Sequence, residues 1–363
     1  MKRIAAGLVL AGLLATGLLV TARLAAPQLG QWVYTRQVEA RLGLDRRDSL
    51  PDGLHIAFCG TGSPLPDPGR AQSCTAIIAG QRIFIVDSGA GSTRNLVLMG
   101  LPASAINAVL ITHFHSDHIS DLGALALQAW VGDARETPLE AWGPAGIETV
   151  VEGMNTAYRL DRGYRTAHHG TAIAPPSGGG LTARPFALPA DGSAVTLLDE
   201  AGLTVRAIAV NHDPASPAVA YRFDYGGRSI IVSGDLDAAH SPGFDALAAG
   251  ADLIVAEALQ PDLVGILTRT AQARGEEALA TITRDILDYH TTPQAAAEAA
   301  QRAGADALVL THIVPALPSP RLNAAFLGNA GASFSGTIRL ARDGDAISLP
   351  SGSDRIEHAN WLP

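Results

Sequence analysis

Three imidazoles and a carboxylate fall within six residues, His113-Phe114-His115-Ser116-Asp117-His118. Burying so many polar groups is costly unless something binds them. Imidazole nitrogen with carboxylate oxygen is a ligand set for Zn(II), and it also suits Mn or Fe. The alternating His113 and His115 can point to one ion, while Asp117 and His118 can serve a second. Three further donors each follow an apolar run. His212 comes after Val205–Val210, Asp235 after Ile230-Ile231-Val232, and His312 after Leu308-Val309-Leu310. Seven donors suffice for two four- or five-coordinate ions sharing a bridging Asp. Two such cations turn water into a nucleophile at neutral pH and stabilise the anionic oxygens of a phosphoryl or sulfuryl transition state.

These donors need strands that end at one place, because α/β proteins put ligands in the loops at strand ends. The pattern predicts strands at His55–Phe58, Ala105–Thr112, Leu203–Val210, Ala218–Phe223, Ser229–Ser233, Asp252–Ala256 and Ala307–Thr311. Cys74–Ala79 and Arg82–Val86 read as a hairpin about Gly80-Gln81. Pro293–Ala303 is a helix that Thr292 caps and Gly304 stops. Tyr164–Gly192, rich in Gly and Pro, reads as a loop or insert, and Pro261–Tyr289 as a polar helical lid. Strands alternating with helices give an α/β architecture in two broad halves.

The 363 residues are 47% hydrophobic and 17% charged, enough for a large core. Twenty-six basic against 35 acidic residues leave a net charge of -9. With 5% aromatic residues and no basic run, this disfavours nucleic acid as a partner. Cys59 and Cys74 are too few for a four-cysteine zinc site. They read either as small buried hydrophobes or as a disulfide between paired strands. Met1-Lys2-Arg3 precedes a charge-free run, Ile4–Val20, which reads as a cleavable signal or a short anchor. The organisation expected is therefore a signal or anchor at 1–26, a connector at 27–53 and a catalytic domain at 54–363, placed in the periplasm or otherwise outside the cytoplasm.

The donor pattern resembles the metallo-β-lactamase superfamily, and more closely its ribonuclease Z branch, which has arylsulfatase-like and cyclic-phosphodiesterase-like members. The resemblance runs from about His55 to Ala316. It is carried by Phe58-Cys59-Gly60-Thr61-Gly62-Ser63-Pro64, Ile85-Val86-Asp87-Ser88-Gly89-Ala90-Gly91, the His-x-His-x-Asp-His stretch, Ser233-Gly234-Asp235, Tyr289-His290-Thr291-Thr292-Pro293 and Thr311-His312-Ile313. It implies an αβ/βα sandwich of two mixed β-sheets flanked by helices. It also implies one zinc on His113, His115 and His212, another on Asp117, His118 and His312, and Asp235 between them. His290 and Glu257 would form a proton-handling pair near the leaving group, and Asp117 would also orient water. Some members of the branch form homodimers.

One departure is plain. Transfer-RNA-processing members carry a long arm, often between the third histidine motif and Ser-Gly-Asp, and here Ala220–Phe223 runs through Gly226-Gly227 straight into Ser229–Asp235. The reading is an exported dinuclear zinc hydrolase of phosphodiester or sulfate ester bonds that uses a metal-bound hydroxide on a small anionic ester, touching membrane only through its N-terminal segment. Tyr158, Arg159, Tyr164, Arg165, His168 and His169 are candidates for the substrate pocket. The alternatives are an acyl hydrolase such as a lactonase or β-lactamase, ribonuclease Z-type RNA processing, a non-catalytic metal-binding protein and a di-iron oxidoreductase.

Overall fold

The structure is a computed structural model that describes residues 2–363, with side chains described for Ala15, Thr16, Thr21–Arg23 and from Ala25 onward. Two units separate, Met1–Asp45 and Arg46–Pro363. The first is the helix Lys2–Arg41, which continues through Pro27. The signal or anchor expected at 1–26 rests on the side chains of Ile4–Val20, most of which lie outside the described residues. Among the described residues no helix is long and apolar enough to cross a membrane.

The second unit contains the strands β1 (Gly53–Gly60), β2 (Cys74–Ala79), β3 (Arg82–Val86), β4 (Ile106–Leu110), β5 (Leu139–Gly143), β6 (Leu181–Pro185), β7 (Val195–Glu200) and β8 (Leu203–Val210). They are followed by β9 (Ala218–Tyr225), β10 (Arg228–Val232), β11 (Leu253–Leu259), β12 (Ala307–Val314), β13 (Thr337–Leu340), β14 (Asp345–Pro350) and β15 (Glu357–Asn360). Among the described residues one sheet runs β15-β14-β1-β2-β3-β4-β5-β6 and the other β13-β12-β11-β10-β9-β8-β7. Both mix parallel and antiparallel pairs.

Strand alternation builds the layers. In β1, Leu54, Ile56 and Phe58 enter a core that also holds Val205, Tyr221, Phe223, Val255 and Val309 of the other sheet. Ala57 and Cys59, at the intervening positions, face a core completed by Leu122, Leu125, Ala129 and Ile147 from helices. Side chains at i and i+2 share a face, so one strand supplies two cores. The outer face of the second sheet is covered largely by the helix Pro293–Ala303, whose alanines allow close approach. Thr292 Oγ1 accepts from Ala295 N, and Gly304 ends this helix at a φ of 71°.

Cys59 and Cys74 form a disulfide across β1 and β2, with Cα atoms 5.1 Å apart. It closes the loop that carries Ser63, Pro64 and Leu65. The loop expected at Tyr164–Gly192 is replaced in part by the helix Arg159–His169 and by β6. The Gly and Pro residues are densest over Pro175–Gly180, and β6 is an edge strand that tolerates its terminal Pro185.

Candidate metal centre

The seven donors converge where strands of both sheets end. His113, His115, Asp117 and His118 follow β4, the last two opening the short helix Ser116–Ile119. His212 follows β8, Asp235 follows β10, and His312 lies within β12. Two groups, His113, His115, His212 and Asp235, and Asp117, His118 and His312, each have their donor atoms within 4.8 Å of one another, and a third of the same span joins Asp235 and His312 with His290. Asp235 Oδ2 stands between the first two, 3.9 Å from His113 Nε2, 3.7 Å from His212 Nε2, 3.4 Å from His118 Nε2 and 3.3 Å from His312 Nε2.

Backbone irregularities aim two of these residues. β12 pairs in parallel with β11, but the register slips so that Glu257 faces Thr311 and Ala258 faces Ile313. His312 is the extra residue, at a φ of 47°, a left-handed conformation that turns its ring into the cluster. Gly89 lies against the other end of the motif, where a Cβ would sit 2.0 Å from the Asp117 carbonyl oxygen. Only glycine permits that approach.

Hydrogen bonds behind the rings fix which nitrogen is presented. Thr112 Oγ1 donates to Asp87 Oδ2 at 2.8 Å, so it accepts from His113 Nδ1 at 3.1 Å and leaves His113 Nε2 with a lone pair. His118 Nδ1 donates to Asp87 Oδ2 at 2.8 Å, and His212 Nδ1 to the Tyr289 carbonyl at 2.9 Å. Asp87 also accepts from Thr112 N at 2.8 Å. Sequence reasoning quoted Asp87 only as part of a glycine-rich segment. The signal it passed over is the one that found Asp235, a carboxylate placed just after a buried strand.

Burial lowers the pKa of His113 well below the usual imidazole value and lowers those of His115 and His212. Burial also opposes charge on His118 and His312, but neighbouring carboxylates, Asp235 foremost, outweigh it. His118 is raised well above the ordinary value and His312 to about 9. Asp235 is depressed well below the carboxylate range, its burial outweighed by His312 and His118. Asp235 Oδ1, His118 Nε2 and His312 Nδ1 are buried without a hydrogen-bond partner. Orphaned polar atoms in a nitrogen-and-oxygen donor set fit divalent cations.

His290 and Glu257 adjoin the cluster. Glu257 is 1% exposed and accepts from His290 Nδ1 at 3.0 Å and from Thr291 N at 2.8 Å. Burial opposes charge on His290, Glu257 outweighs it, and the pKa rises. A cleft of about 240 Å³ opens over His115, Asp117, Asp235 and His290. Its walls include Leu65, Ile282, Ile286 and Tyr289. The expected pocket residues Tyr164, Arg165, His168 and His169 do not line it, and neither do Tyr158 and Arg159. All but Tyr158 lie on the helix Arg159–His169, which buries none of its residues. Their polar character reflects solvent exposure.

A family model described as the metallo-beta-lactamase superfamily matches residues 67–312. The chain belongs to this superfamily. A ribonuclease Z of Mycobacterium marinum is 36% identical over 292 residues, spanning 80% of this chain and 96% of that protein. One of Mycobacterium bovis is 37% identical over the same length and shares. These relatives place the chain in the ribonuclease Z branch. Among solved structures, the metallo-beta-lactamase fold protein YhfI of Bacillus subtilis aligns with a TM-score of 0.57 at 20% identity, over 82% of this chain and 100% of that one. The short form of human tRNase Z aligns with a TM-score of 0.57 at 23% identity, over 82% and 99%. Both share the two-sheet fold.

The relatives correct two expectations. They are ribonucleases, so the exported hydrolase of small phosphodiesters or sulfate esters does not stand, and nucleic acid is not disfavoured. A net charge of -9 is a sum over the chain and does not describe the field at a site built for cations. Between His212 and Asp235 the chain forms only β9, β10 and the short turn at Gly226-Gly227 that joins them, so the long arm is not inserted there.

Proposed function

We propose that this protein is a metal-dependent ribonuclease that hydrolyses an RNA phosphodiester bond. The observation that carries this is the 36% identity to a ribonuclease Z across 96% of that relative, in a chain whose seven metal-type donors converge. The donor set suits two zinc ions, one on His113, His115 and His212, the other on Asp117, His118 and His312, with Asp235 shared. When bound, such ions act as Lewis acids on phosphoryl oxygens and bring the pKa of water toward neutrality.

The chain's own groups divide the remaining work. Thr112, Asp87 and the Tyr289 carbonyl hold three imidazoles in the tautomer that offers Nε2. Asp117 takes part in binding and orients the attacking water. Glu257 fixes His290 through Nδ1, leaving Nε2 to deliver a proton to the departing oxygen.

The test uses the zinc-loaded full chain on a precursor transfer RNA with a 3′ extension and on an unstructured RNA, beside Asp235→Ala. Cleavage at a defined bond, lost in the variant together with zinc, supports the reading. A loaded, folded chain that cleaves neither RNA overturns it.

A further inference from the structure

The wall of the cleft is not explained by metal chemistry. Ile282 is 54% exposed beside the site, and Ile286 packs with Leu65 against Val314. Together with Leu65, Ile286 and Tyr289, Ile282 gives the cleft an apolar wall beside a few polar donors, the usual composition of a ligand site. Ile282 is also held in place. Its helix, Glu277–Asp285, is tied to the helix Pro261–Ala273 by a 2.8 Å hydrogen bond from Thr268 Oγ1 to Thr283 Oγ1.

Resting on the ribonuclease reading, we propose that Leu65, Ile282, Ile286 and Tyr289 form a subsite for one unpaired nucleobase adjoining the scissile phosphate. Three observations choose this occupant. No Arg or Lys lines the cleft among the described residues, so the wall offers nothing to a second phosphate. One cleft is lined both by donors of the cluster, His115, Asp117 and Asp235, and by this wall, so a group held on the wall adjoins them. Tyr289 supplies an aromatic ring, and unpaired bases are bound on aromatic and apolar side chains. The position of this ring is coupled to the metal cluster. It meets the His212 ring edge-on at 5.0 Å between centroids, and the Tyr289 carbonyl accepts from His212 Nδ1. A base on this wall is therefore in register with the bond to be cut.

The experiment uses the zinc-loaded full chain and a short unstructured RNA whose cleaved bond has been mapped. The same RNA is then made with an abasic nucleotide on one side of that bond, and separately on the other. For the unaltered protein, kcat/KM falls about tenfold for one of the two abasic RNAs, the loss of one stacked base. In Ile282→Ser that difference shrinks below about threefold, while the rate on the abasic RNA stays that of the unaltered protein. Leu65→Ser, in the loop closed by the disulfide, shows the same compression. Melting temperature and zinc content, read on the same samples, separate these effects from unfolding. Equal cleavage of parent and abasic RNAs by the unaltered protein overturns the subsite and leaves the ribonuclease standing. A tenfold difference that survives in both variants also overturns it. No cleavage of any RNA overturns both readings.

Discussion

The two ligand groups are built from similar side chains and differ in charge. His113, His115 and His212 have only the shared Asp235 among them, and burial lowers the pKa of all three. His118 and His312 are buried as well, yet Asp117 and Asp235 stand beside both and Asp87 beside His118. These carboxylates outweigh burial and raise both histidines, His312 to about 9. The contrast shows how one loop can present two kinds of site. The first group offers neutral imidazoles at physiological pH, while the second holds protons that an arriving cation must displace.

The strongest way to break this comparison is to remove the residue both groups share. Asp235→Ala is expected to empty both groups and to lower RNA cleavage on the order of 10³-fold, the several kcal/mol that metal ions contribute. Elemental analysis and cleavage rates on one sample decide it. Retention of both ions would show that each group stands alone.

The second prediction concerns pH. A histidine raised to about 9 stays protonated through neutrality, so the Asp117, His118 and His312 group loses affinity as pH falls below 9. The expected weakening is about tenfold for each pH unit for each displaced proton. The His113, His115 and His212 group is flat above the usual imidazole value, because its members are already neutral there. Zinc titrations of the metal-free protein at several pH values between 6.5 and 9, resolving a tight and a weaker site, check this. Equal pH slopes for the two sites would break the comparison.

Asp87→Asn sharpens it at smaller amplitude. Asp87 accepts directly from His118 and reaches His113 only through Thr112. Affinity for the second ion is expected to fall about 10–100-fold, as for other outer partners of metal-binding histidines. The first ion should lose less. Asn tolerates the left-handed backbone of this position, a φ of 62°, so the fold is kept. Two-site zinc titration of this variant gives both numbers.

The convergence of the seven donors was legible because metal-binding residue types are scarce and stand in two recognisable settings, a dense motif and the ends of apolar strands. β8 and the helix Pro293–Ala303 match their expected bounds, the first through apolar residues alternating with Thr204 and Arg206 and the second through its cap and its stop. The edge strands β6 and β15 escaped notice because half-exposed or exposed strands lack an apolar signature. His312 was legible as a donor, but its left-handed backbone depends on a register slip between distant strands. The cleft wall was missed for a related reason. Ile282 and Ile286 lie in a segment that reads as a polar lid, and only the topology carries them to the metal centre. Residue type drew attention to Arg165 and His168, whose helix faces solvent.

That misplaced helix supplies the smallest expected effect. Tyr164 is 66% exposed, and Arg165 is paired with Asp161 at 2.8 Å one helical turn away. Such i,i+4 pairs contribute about 0.3–0.5 kcal/mol. Tyr164→Ala and Arg165→Ala should each change unfolding free energy by no more than about 0.5 kcal/mol, measured by denaturant titration. Neither residue lines the cleft, so kcat/KM on a short RNA should be unchanged. A loss on short RNA would mean that the helix reaches the reacting bond, contrary to its placement. A loss confined to long, structured RNA would instead mark this exposed face as a contact made far from the metal centre.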